Sequence, residues 1–125
     1  MIWLAIGAGG AMGALLRHAS TLWVSQRVAW GPFPAGIFLV NLAGCLAIGL
    51  LAGVLASSRV ALDERVRVFL VVGLLGGFTT FSSFGLDTFT LLRGGQTSLA
   101  LLNAVGQLVG GVLAVWLGFA LTTRL

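Results

Sequence analysis

Seven arginines and three acids are the only charged side chains among the 125 residues, and they cut the chain into four long apolar stretches. The stretches cover about 2–25, 35–56, 68–92 and 97–121. The hydrocarbon core of a bilayer takes about 20 apolar residues per helix, so each stretch is long enough to cross it. With 58% hydrophobic residues and a mean hydropathy of +1.09, the chain has too little charge to cover a soluble domain of this size. The expectation is an all-α integral membrane protein, one four-span domain over 1–125. Residues Arg17 and His18 are the only interruption of the first stretch. No basic segment precedes it, so it reads as a retained span rather than a cleaved signal peptide.

The same composition excludes other classes. The net charge of +4 comes from arginines scattered at segment ends, which is not a nucleic-acid footprint. Cys45 is the single cysteine and cannot form a disulfide within the chain. There is no Cys/His/carboxylate cluster, phosphate loop or catalytic triad, so an enzyme is not expected. Turns fall at Arg27 and Trp30-Gly31-Pro32-Phe33-Pro34, at the charged loop 57–67, and at Arg93-Gly94-Gly95. The side carrying the termini and the 57–67 loop holds Arg59, Arg65, Arg67 and Arg124. The other side holds Arg27 and Arg93, with Arg17 deeper. So small a bias specifies orientation weakly under the positive-inside rule. Both a single orientation with the termini inside and insertion in both directions remain open.

The third stretch carries an unusual interior: Gly76-Gly77-Phe78-Thr79-Thr80-Phe81-Ser82-Ser83-Phe84. Paired glycines followed by four hydroxyl residues have no use on a lipid-facing helix. They indicate backbone that leaves the helix and polar groups facing a pore or a partner, which is tolerated at membrane depth only under protein or water cover. The freed carbonyls of 76–80 suit either a cation or a hydroxyl-stabilised kink. Phe78, Phe81 and Phe84 share a face if the helix continues. They read as packing, or as electropositive ring edges offered to a dehydrated anion. Glycines four apart at Gly9/Gly13, Gly49/Gly53, Gly73/Gly77 and Gly106/Gly110 allow close helix approach. Four short helices hardly enclose a pore, so at least a dimer is expected.

Other polar residues lie inside the apolar stretches. Asn41 has an amide suited either to an anion or to an interhelical hydrogen bond. Asn103 and Gln107 lie one turn apart, with Gly111 continuing the line, and form either a pore track or an interhelical ladder. Arg17 either lines an anion vestibule or braces a helix end, and the structural role is favoured.

Three of these motifs together resemble the Fluc (CrcB) family of small bacterial fluoride channels. They are Gly9-Gly10-Ala11-Met12-Gly13-Ala14-Leu15-Leu16-Arg17, Gly36-Ile37-Phe38-Leu39-Val40-Asn41-Leu42-Ala43-Gly44, and the 76–84 run. The resemblance covers essentially the whole chain. It implies an antiparallel, dual-topology homodimer in the bacterial inner membrane, with a third helix broken at its centre and two fluoride pores. It also implies a structural Na⁺ held by the backbone carbonyls of Gly76 and Thr79. Carried over by motif, the pore aromatics are Phe81 and Phe84, the pore amide is Asn41, the polar lining is Thr80 and Ser83, and Arg17 stands at the vestibule. Two features depart from the family pattern. Ile37 replaces the usual Thr, and the span-four track holds Asn103, Gln107 and Gly111 where Tyr and Ser are common. Pairing with a homologous subunit is the alternative to a homodimer. A small drug–proton antiporter of similar length would need an embedded carboxylate, for which only Asp87 is available. Proton-coupled fluoride transport lacks a clear proton carrier.

Overall fold

The computed structural model describes residues 1–57 and 60–124. Arg59, counted above in the charge balance, lies outside them. The described residues form α1 (Ile2–Arg27), α2 (Ala35–Ala56), α3 (Glu64–Val68), a π-helical stretch (Phe69–Leu75), α4 (Gly76–Phe78), α5 (Phe81–Arg93) and α6 (Thr97–Arg124). Three segments are long and apolar enough to cross a membrane: Ala35–Ala56, Glu64–Arg93 and Thr97–Arg124. At 26 residues α1 has the length, but Arg17, His18, Ser20 and Thr21 make it less apolar than the other three.

Local chemistry sets the ends. The Asp63 carboxylate accepts a 2.9 Å bond from the Arg65 N–H and caps α3, so the third segment begins at Glu64, earlier than the hydropathy pattern suggests. Gly31 and Gly95 take positive φ, 61° and 73°, in the two tight connections at the opposite end. Pro34 precedes the first turn of α2, where a missing N–H costs nothing.

The helices pair by alternation. α1 packs along the third segment and α2 along α6, each pair running parallel. At the first seam, a Cβ on Gly9 would lie 2.6 Å from the Phe69 carbonyl, and one on Gly77 would lie 2.6 Å from the Gly10 carbonyl. At the second, a Cβ on Gly49 would collide with the Val115 carbonyl, and one on Gly118 would lie 2.5 Å from the Leu46 carbonyl. Gly106 and Gly110 make room for the Phe38 ring and the Leu42 side chain. All four glycine pairs therefore serve seams within one chain. Elsewhere the surface is apolar: Leu15, Leu108 and Val112 are largely exposed. Trp3 and Trp116 lie toward one end of the bundle and Trp23 and Trp30 toward the other, the placement expected at bilayer interfaces.

Candidate functional site

Helical geometry stops after Phe78. Thr79 (φ −92°, ψ 155°) and Thr80 (φ −149°, ψ 123°) are extended, and α5 restarts at Phe81. The sequence supplies both ends of this step. Thr79 closes the preceding turn through its N–H and hydroxyl, each 3.0 Å from the Leu75 carbonyl. Thr80 caps α5: its Oγ1 accepts from the Ser83 N–H at 3.3 Å. A β-branched hydroxyl residue is favoured at a cap and in extended backbone. The same hydroxyl lies 3.1 Å from Ser82 Oγ and donates to Ser83 Oγ at 3.4 Å.

The extended step needs partners for its peptide groups, and Asn41 provides them from α2. Its Oδ1 accepts from the Thr80 N–H at 2.9 Å and its Nδ2 donates to the Thr80 carbonyl at 3.1 Å. The Thr80 N–H thus goes to Asn41 rather than to the Gly76 carbonyl four residues back. The second N–H of Asn41 donates to Gln107 Oε1 at 2.7 Å. Gln107 Nε2 donates to Asn103 Oδ1 at 2.9 Å, Asn103 Nδ2 to Thr88 Oγ1 at 2.8 Å, and the Thr88 hydroxyl to the Phe84 carbonyl at 2.8 Å. Asn103 is fully buried. The polar line along α6 is therefore hydrogen-bonded throughout, to α2 at Gln107 and to α5 at Asn103, and Gly111 continues it against the Cys45 side chain.

The phenylalanines divide at the break. Phe81 and Phe84 stack in a tilted pair with centroids 5.2 Å apart, and Phe81 is 83% exposed. They line a groove of about 810 Å³ together with Asn41, Thr79, Thr80 and Gln107. Phe78 lies on the other side of the extended step, near Gly44, and lines a smaller groove with Trp23 and Leu39. The three-residue spacing of these rings does not become a single stripe, because two extended residues intervene. Arg17, partly buried on α1, directs Nη1 to the Thr79 carbonyl at 3.5 Å.

Pattern reading missed Thr88, the end of the polar line. Its signal was a hydroxyl beside Asp87, one of two with Thr90 between Phe84 and Leu91, although its partner was not deducible from spacing. Thr21 Oγ1 and Asp87 Oδ2 are buried without a hydrogen-bond partner among the described residues. His18 is exposed on α1.

Residues 4–119 match the family described as CrcB-like protein, camphor resistance (CrcB). The chain belongs to the CrcB family. The Chloroflexus aurantiacus (strain J-10-fl) protein named fluoride-specific ion channel FluC is 52% identical over 120 residues, 94% of this chain and 92% of its own. Proteins of the same name from Pseudomonas putida (strain F1) and Methylobacillus flagellatus are 50% identical over 119 residues (94% of each chain) and 45% identical over 117 (93% of this chain, 90% of theirs). The CrcB match contains the extended step, Asn41, Arg17, the Phe81–Phe84 pair and the α6 amides. The whole candidate site thus lies inside the family's shared region.

Proposed function

We propose that this chain is the subunit of a fluoride-selective channel through which F⁻ leaves the cell passively across the inner membrane, driven by the negative interior potential. The observation that carries the reading is near-full-length identity of about half to proteins named fluoride-specific ion channels. The site chemistry agrees with it. Fluoride is small and strongly hydrated, so a pore must offer close donors yet release the ion. The groove offers the uncharged hydroxyl of Thr80, with Ser83 Oγ 3.4 Å from it, and the rings of Phe81 and Phe84, whose edges are electropositive. We assign these four residues to the ion's path, with Asn41 and Gln107 at its wall, Asn103 behind them, and Arg17 toward the vestibule.

One chain leaves the groove open and the Phe81 ring largely uncovered. A second, inverted copy would close it, and the slight arginine bias suits that arrangement. The carbonyls also fit a resident Na⁺: Gly76 has lost its usual helical donor to Asn41, and Thr79 keeps a lone pair beyond the Arg17 contact. A hard cation needs more than two oxygens, and the matching pair on the second copy would supply them. When bound, Na⁺ would supply a fixed positive charge that pins the two breaks together.

The test is fluoride release from liposomes holding the purified protein, with valinomycin to relieve the potential and chloride as control. Rapid fluoride release without chloride release is expected. A well-folded protein that releases neither ion overturns the reading. The unpartnered Asp87 Oδ2 motivates a proton-coupled alternative. In that case a pH gradient alone would drive fluoride uphill in the same vesicles.

A further inference from the structure

The line Asn41–Gln107–Asn103–Thr88 has a direction, and both of its ends are backbone. At one end the Thr80 N–H can only donate, so Asn41 must present Oδ1 there and turn Nδ2 toward Gln107. At the other the Phe84 carbonyl can only accept, so the Thr88 hydroxyl must point to it and leave its lone pairs to Asn103 Nδ2. Between these ends each amide accepts on one side and donates on the other. Turning any one of them over places two donors or two acceptors face to face. The two ends belong to the same short region: Thr80 caps α5 and Phe84 lies in its first turn. α5 is therefore gripped at two levels by side chains from α2 and α6. Both N–H groups of Asn41 are consumed in this grip, leaving none for an ion.

The geometry points to Gln107, Asn103 and Thr88 as positioning residues for conduction. Through Asn41, and through Asn103 on Thr88, they fix the rotation of α5, and with it the Phe81–Phe84 pair, rather than supplying donors to the permeating ion. This inference rests on the channel reading for its flux arm alone. Its signature is that cuts at distant points of one relay have the same effect. Thr88→Val removes the bonds to Phe84 and Asn103, and Gln107→Leu those to Asn41 and Asn103; each is expected to lower fluoride flux by about tenfold, a factor within the range for lost buried hydrogen bonds. The double variant is expected to fall no further, and Thr88→Ser, which keeps the hydroxyl, to restore wild-type flux. Independent pore-lining residues would instead multiply to about a hundredfold, and that result overturns the proposal, as does wild-type flux in Thr88→Val. Size exclusion confirms that each variant keeps the wild-type assembly.

A second measurement does not depend on fluoride. Backbone hydrogen exchange of the 79–81 segment is expected to accelerate in Thr88→Val, two turns away from the break, and to stay slow in Thr88→Ser. Unchanged exchange in Thr88→Val overturns the grip. If the wild-type protein releases no fluoride, the channel reading fails, and the exchange comparison alone decides whether the relay holds the break.

Discussion

At the scale of single residues, the site turns on how Thr80 is satisfied. A residue that leaves helical geometry inside a membrane exposes an N–H and a C=O, and each unpaired group there costs several kcal/mol. Asn41 covers both with one side chain. Asn41→Leu keeps the bulk but removes both bonds and orphans Gln107 Oε1. It should cost about 2–4 kcal/mol of stability, read as a lower unfolding midpoint in detergent. Asn41→Asp places negative charge at the same wall and should suppress fluoride flux; wild-type flux would remove Asn41 from the path. Phe81→Ile keeps apolar bulk while deleting the ring edge, and flux should fall sharply with assembly unchanged. An unaltered rate would reduce the Phe81–Phe84 pair to packing. The polar character of these positions was legible in the sequence, since Asn41, Thr80 and Gln107 stand out against apolar neighbours. Their pairing was not legible. Asn41 meets groups 39 and 66 positions away, and nothing local encodes which helix brings them.

At the scale of elements, the seams are set by backbone contact rather than by side-chain interdigitation. Without a hydrophobic drive between helices in lipid, close approach and dispersion hold the bundle. Adding one methyl at Gly49 would press on the Val115 carbonyl. Gly49→Ala should cost about 1–3 kcal/mol, whereas Gly7→Ala, on α1 with no other helix within 4 Å of the added methyl, should be tolerated. Thermal unfolding of the two variants side by side checks the contrast. The spacing of four between glycines announced these faces in advance. It could not say that Gly9/Gly13 meets Gly73/Gly77, or that Gly106 receives the Phe38 ring, because spacing marks a face and not its partner. Likewise the paired glycines and hydroxyls of 76–84 pointed to non-helical backbone. The particular residues that become extended, Thr79 and Thr80, follow from capping by Thr80 and from the grip of Asn41.

At the scale of the whole molecule, the apolar exterior, the tryptophans near both ends and the three segments long and apolar enough to cross a membrane describe a multi-pass membrane protein. That class was evident from composition alone, whereas the less apolar α1 shows how a single Arg-His pair weakens a hydropathy signal. The proposed inverted dimer predicts that, in vesicles made from cells, an epitope at the C-terminus is accessible from both faces in comparable amounts. Protection on one face only would sink the dual-topology arrangement. The alternating pairing of spans has a further consequence, for biogenesis. The main partner of α1 is the third segment and that of α2 is α6, so neither of the first two helices meets its own when it leaves the ribosome. Each must wait in the bilayer with its glycine face bare to lipid, α2 until α6 has been synthesised. Premature release of a truncated chain would therefore yield inserted but unpaired helices, ready substrates for membrane quality control.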